Sequence, residues 1–368
     1  MILDKLSSSF SSITSGLVGI DSLVKQLITS YLGFGNNVCM IGICGMGGLG
    51  KTTLARVVYD KFRSHFEGSS FIANVREDSE KHGLTRLQRQ LLVEILEERN
   101  IEIWNVDYGV DMIKKRLCHK KVLLVLDDVD KLNQLEKLAG KHDWFGLGSW
   151  IIITTRDERL LVQHEVHKIY KPSALCRRDA QKLFCLNAFK NEQPKEGYMQ
   201  LSRDVVKHAN GLPLALVVLG SFLVESTMDE WQSALDKFKE NPNRDIFDIL
   251  KISYDGLDKM DREIFLDIAC FFRGWRKDRV IKILENCGFH ARIGIRDLRE
   301  KSLITIENEV LKMHDLLQEM GREIVRRESH GELGKSSRLC LCEDLFHVLT
   351  KDTVRMMAKL EFYFLEQD

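Results

Sequence analysis

At 368 residues the chain is too long for one comfortable hydrophobic core, so two or three domains are expected. Lys plus Arg and Asp plus Glu number 54 each, which leaves no electrostatic reason to expect a nucleic acid or an anionic membrane as the main partner. No apolar run reaches bilayer length, the Ser-rich start lacks a secretory h-region, and nine cysteines without a repeating framework suit a reducing compartment.

Residues 1–16 read as an approach segment that continues from something longer. Residues 38–44 (VCMIGIC) form an apolar run ending in glycines, the pattern of a buried strand entering a tight loop. Leu54, Val57, Val58 and Phe62 then share a helical face. Residues 71–75 are a second strand candidate, and Leu84, Leu87, Leu91, Ile95 and Leu96 mark another amphipathic helix. Residues 122–126 and 150–155 give a third and fourth strand, with a short fifth at 169–170. This alternation predicts an α/β unit over 17–171, a parallel sheet with helices on both faces. From 172 strand signals stop. Helices at 176–190, 198–209 and 213–224 suggest a small helical domain over 172–245. Further helices at 249–257, 262–272 and 280–286, a hairpin pairing 303–306 with 310–313, and a helix over 315–327 suggest a winged-helix domain over 246–345. Residues 346–368 read as a connection onward. Cys340 and Cys342 form a lone C-x-C without a second pair, a poor metal site.

The strongest chemical signal is Gly45-Met46-Gly47-Gly48-Leu49-Gly50-Lys51-Thr52-Thr53. It satisfies G-x-x-x-x-G-K-[ST] between a predicted strand and a predicted helix, the context a phosphate-binding loop requires. Its glycines let backbone amides wrap phosphate oxygens, and the following helix points its positive end at them. Lys51 is expected to neutralise the β- and γ-phosphates and Thr52 to ligate Mg2+. The strand at 122–126 ends in Asp127 and Asp128. Strand ends beside such a loop bind ligands in open parallel sheets. Asp127 is expected to hold magnesium, and Asp128 to orient or deprotonate the attacking water. Arg156 follows the next strand and is positioned to sense a γ-phosphate, though by itself it reads as a surface residue. Taken alone, Pro213 marks a helix start, and His314 is a strand-end histidine before a helix-capping Asp315. The basic stretch around Lys114, Lys115, Arg116, Lys120 and Lys121 reads as a solvated helix face and strand entry.

In this order, these segments resemble the NB-ARC domain of plant disease-resistance proteins. The likeness rests on residues 17–21 (LVGID), the phosphate loop, 71–77 (FIANVRE), 122–130 (VLLVLDDVD), 149–157 (SWIIITTRD), 211–216 (GLPLAL), 265–272 (FLDIACFF) and 313–321 (MHDLLQEMG). Asp130 and FLDIACFF look like the subclass with an N-terminal TIR domain. The resemblance implies a P-loop NTPase sheet followed by a helical and a winged-helix domain around one adenine nucleotide. It implies that Val18 and Gly19 line the adenine side, that Pro213 packs near the adenine, and that His314 reaches the β-phosphate of ADP. It further implies an ADP-bound resting switch that ATP opens for homo-oligomerisation, in the cytoplasm with the nucleus as a second location. The TIR and leucine-rich-repeat domains are absent from these residues, so no NAD cleavage is expected. Cys44, Trp150 and Cys340 depart from the usual pattern at positions of local packing. Hydrolysis is expected to be slow, because no arginine finger is assigned. The competing readings are a P-loop ATPase or kinase with substantial turnover, and a winged-helix DNA-binding regulator.

Overall fold

The computed structural model describes residues 17–32, 37–166, 168–239 and 246–328. The flanking segments 1–16 and 346–368 and the Cys340/Cys342 pair lie outside the described residues. The chain divides after Asp179 into two compact units.

In the first unit, α1 (Ile20–Leu27) leads to β1 (Cys39–Cys44), α2 (Lys51–Phe62), β2 (Gly68–Ile72), α3 (Val75–His82), α4 (Leu84–Leu96) and α5 (Val106–Leu117). There follow β3 (Val122–Val129), α6 (Leu132–Ala139), β4 (Trp150–Thr155), α7 (Glu158–Gln163) and β5 (Lys168–Tyr170). The strands form one sheet of order β2-β3-β4-β1-β5, every pairing parallel. Successive side chains on a strand point to opposite faces, and the two cores show it. Ile41, Ile43, Leu123, Val125 and Ile152 meet α1 and α2 through Val24, Leu27, Leu54 and Val58. Met40, Leu124, Leu126, Ile151 and Ile153 meet α4, α5 and α6 through Leu87, Leu91, Ile113 and Leu135. Helices thus cover both faces, as the alternation predicts. Gly42 has a packing reason: a Cβ there would come 2.3 Å from a Leu161 methyl, so α7 can lie close only over hydrogen. Of the unusual residues, Cys44 is buried and Trp150 packs against Phe62 and Phe66.

One strand differs from expectation. The apolar run 71–75 is not a strand throughout: β2 begins at Gly68 and stops at Ile72, and Val75 opens α3. Asn74, at φ 51°, turns the chain between them. The backbone pairing of Gly68, Ser69 and Ser70 with β3 supplies the hydrogen bonds that their side chains do not advertise.

The second unit is helical: α8 (Arg177–Ala188, which straddles the division), α9 (Met199–His208), α10 (Pro213–Phe222), α11 (Met228–Lys239) and α12 (Ile246–Asp255). Trp231 is fully buried among Phe184, Phe189 and Tyr198, and its indole N–H donates to the Leu223 carbonyl at 3.2 Å. Next come α13 (Lys259–Asp267) with a π-helical turn over Ile268–Phe272, α14 (Lys277–Asn286), α15 (Ala291–Glu300), β6 (Thr305–Glu307), β7 (Val310–Lys312) and α16 (Asp315–Glu328). The hairpin strands are shorter than the expected 303–306 and 310–313. Asn308 and Glu309, at φ 49° and 62°, form a two-residue turn of the hairpin-favouring hand. Among the described residues no helix is long and apolar enough to cross a membrane.

Candidate functional site

The glycine-rich loop leaves β1 at the carboxyl edge of the sheet. The Gly45 N–H donates to the Thr155 carbonyl at 3.3 Å, which moors the loop to β4. Gly48 and Gly50 have φ of 78° and 81°, a conformation that costs other residues strain. A Cβ on Gly50 would meet nothing within 4 Å, so the loop opens onto space just where α2 begins. No side chain caps α2; the Leu54 N–H closes its first turn on the Gly50 carbonyl at 2.9 Å. An uncapped helix start behind a glycine turn presents amide donors and the positive end of the helix dipole. The Lys51 ammonium curls into the loop and donates to the Gly45 and Met46 carbonyls at 2.6 and 2.8 Å. Lys51 is only 9% exposed. Burial lowers its pKa, nearby Arg156 adds to that, and Asp128 and Asp127 oppose it. An anion in the loop would offset that penalty.

The carboxylates sit on the neighbouring strand end. Asp127, 1% exposed, accepts from the Thr52 hydroxyl at 2.9 Å and the Thr154 hydroxyl at 2.7 Å, both on Oδ1. Thr154 Oγ1 in turn accepts from the Asp128 N–H at 2.8 Å. Along β3 and β4, Leu126 pairs with Ile153 but Val129 pairs with Thr155. Three steps on one strand therefore match two on the other, and the extra residue makes a bulge. Asp128 occupies it at φ 56°. Its carboxylate meets Arg76 Nε at 3.1 Å and Arg156 Nε at 3.8 Å.

The donor set fits magnesium. Two cis ligands of an octahedral ion with Mg–O near 2.1 Å stand about 3 Å apart. The Thr52 hydroxyl and Asp127 carboxylate oxygens, hard donors 2.9 Å apart, match that spacing.

Of the residues named from the sequence, the loop glycines, Leu49, Lys51, Thr52, Thr53, Asp127, Asp128 and Arg156 belong to this one edge of the first unit. In the same unit Val18 is half-buried and Gly19, at φ 75°, starts α1; a Cβ on Gly19 would lie 3.0 Å from Asp179 Oδ2. In the second unit Pro213 takes the first turn of α10, after Asn210 and Gly211 at φ 50° and 68°. His314 differs from the simple reading, in which Asp315 caps the helix. The cap is His314 itself: its Nδ1 accepts from the Leu316 N–H at 3.2 Å, and its carbonyl takes the Leu317 and Gln318 amides. Asp315 is the first helical residue. With Nδ1 accepting, the neutral ring carries its proton on Nε2, and the residue is exposed.

Arg76 and Thr154 were not singled out in the sequence. Both lie in segments that carry the family resemblance, but the run 71–75 reads as strand, and nothing in apolar spacing reports a bulge. Asp130, a third acid after the strand, is instead engaged by Gln134, whose Nε2 donates to it at 2.7 Å at the start of α6.

Residues 20–194 match the NB-ARC domain, and residues 258–329 match the winged-helix domain of Roq1-like disease resistance proteins. The chain is 46% identical over 339 residues to disease resistance protein RPV1 of Vitis rotundifolia, covering 92% of this chain and 24% of that protein. It is 43% identical over 368 residues to TMV resistance protein N of Nicotiana glutinosa, covering 96% of this chain and 32% of that protein. The chain therefore spans less than a third of the length of either relative. Among solved structures it is similar to a signal transduction ATPase with numerous domains that carries a tetratricopeptide repeat sensor, from Pyrococcus horikoshii. That likeness, at 16% identity and a TM-score of 0.54 over 93% of this chain and 47% of the other, is one of fold.

Proposed function

The chain belongs to the NB-ARC family of plant disease-resistance proteins, and we propose that it is the ADP/ATP-controlled switch of an intracellular immune receptor. The observation that carries this reading is the convergence at one sheet edge of a glycine loop, a buried lysine and two differently held carboxylates. In this reading Lys51 and the loop amides hold the β- and γ-phosphates, with Leu49 and Thr53 beside them. Thr52 and Asp127 hold magnesium, which when bound shields the phosphate charge. Val18, Gly19 and Pro213 border the adenine. His314 reaches the β-phosphate of ADP. Arg156 reads the γ-phosphate, and Asp128 orients the attacking water.

ADP then favours the off state and ATP the on state, to the extent that each binds the two states unequally. Hydrolysis resets the switch slowly, because no arginine finger is assigned to complete the catalytic set. The whole receptor adds TIR and leucine-rich-repeat domains and assembles into homo-oligomers when active, in the cytoplasm and the nucleus. The test is the nucleotide released when purified protein is denatured. Stoichiometric ADP supports the reading; purified, folded protein that neither carries nor takes up an adenine nucleotide overturns it. Turnover above roughly 1 per second would favour an enzyme with substantial activity instead.

A further inference from the structure

α5 buries one face and exposes the other. Val110, Ile113 and Leu117 enter the core it shares with α4 and α6. The outer face, at helical spacings of three and four residues, carries Asp107, Tyr108, Asp111, Lys114 and Lys115, with Trp104 just ahead of the helix. Charge is segregated along it. Acids occupy the first half, and the last turn holds Lys114, Lys115 and Arg116, the stretch that by sequence reads as a solvated face.

Trp104 is 75% exposed, although tryptophan is ordinarily well buried. It is held in place. Its indole stacks on the Tyr108 ring, with centroids 4.7 Å apart and planes 14° apart, and Asn105 Oδ1 caps the helix by accepting from the Tyr108 N–H at 2.8 Å. Some charges of α5 are matched within the chain: Asp107 meets Lys137 at 2.9 Å, Arg116 pairs with Glu98, and Lys114 lies over the Trp144 ring. Asp111 and Lys115 are exposed, and neither has an ion pair among the described residues.

We propose that this face joins two copies of the chain, their α5 helices packed antiparallel across a two-fold axis. A face that is acidic and aromatic at one end and basic at the other complements itself only when the second copy runs the opposite way; a parallel pair would set acids against acids. With the axis at Ile113, both Asp111–Lys115 matches form together. Each Trp104 then reaches the turn of the second copy that bears His119 and Lys120, where a cation can cover its open ring face. A foreign partner would need no such symmetry of charge. The contact is small, so the dimer is weak and salt-sensitive. It uses no residue of the nucleotide edge and stands apart from the ATP-driven assembly proposed above.

Sedimentation of the intact chain as purified, over about 1 to 200 μM, reads the equilibrium between monomer and dimer. A reversible dimer is expected, weakened about tenfold on raising salt from about 0.05 to 0.5 M. Trp104→Ala should weaken it about tenfold through loss of an aromatic anchor. Asp111→Lys and Lys115→Asp should each leave monomer, because each sets like charges opposite one another. An equimolar mixture of those two variants should dimerise again, since every match then joins opposite charges, and this recovery shows that both are folded. One chain carrying both exchanges should dimerise like the native protein. A monomer throughout the range would give the face to another protein or to another part of the receptor and overturn the proposal. A dimer indifferent to both exchanges, or variants that stay apart when mixed, would overturn it as well.

Discussion

Asp127 and Asp261 are both nearly inaccessible, at 1% and 7% exposure, yet their surroundings are opposites. Asp127, at the end of β3, receives two hydroxyl donors on one oxygen, from Thr52 and Thr154. Asp261, in the first turn of α13, has other carboxylates for neighbours. Burial first, then Asp258 and Asp297, push its pKa up to about 6, and Lys301 only partly opposes them. Gly294 packs so close that a Cβ there would sit 2.8 Å from the Asp261 carboxylate. A carboxylate supplied with donors is prepared to hold a charged ligand. One crowded by like charge is a local cost to stability. Burial alone does not distinguish a binding group from a structural compromise; the partners do.

The largest effects should come from the loop beside Asp127. Lys51→Ala should weaken Mg-ADP binding about 100-fold, the loss of charge-assisted hydrogen bonds to phosphate, measured by titration. Asp127→Ala should weaken the magnesium-dependent part of binding by about tenfold or more while leaving metal-free binding nearly unchanged. Equal loss with and without magnesium would take Asp127 out of the metal site. Thr154→Val keeps the shape but removes one of the donors to Asp127 and the acceptor of the Asp128 N–H, and should cost about 2 kcal/mol in denaturant unfolding of the first unit.

The smallest effect concerns Asp261. Its folded pKa, about 6, lies above the ordinary 3.8. Between those values the folded chain holds a proton that the unfolded chain has lost, so stability falls as pH rises through this window and levels off above it. Asp261→Asn should flatten that slope in denaturant midpoints taken at pH 4.5 to 7. An unaltered slope would mean that other groups set it.

The fold was legible where burial is complete on both faces. Residues 122–126 and 150–153 are unbroken apolar runs because α2 covers one side and α4 to α6 the other. The phosphate loop was legible because its glycine spacing is a backbone requirement. α11 and α15 were not legible. Among its described side chains α11 buries Trp231, Ala234 and Leu235, and α15 buries Ala291, Gly294, Ile295 and Leu298 beneath an arginine-rich face. Both buried sets keep the i, i+3, i+4 spacing of a helix face, but the Ala and Gly among them carry little apolar weight in the sequence. At the site, motif spacing alone points to Lys51, Thr52, Asp127 and Asp128, whereas Arg76 and Thr154 depend on a one-residue slip between β3 and β4. Such a slip is set by backbone pairing across distant segments and leaves no mark on local composition.

Calorimetric titration of the folded chain with Mg-ADP, beside Lys51→Ala under the same conditions, tests the central claim most directly. The account predicts saturable binding at one site per chain for the native protein, after any retained nucleotide is removed, and its loss in the variant. Equal binding by both proteins, or none by a native protein shown to be folded, would contradict it.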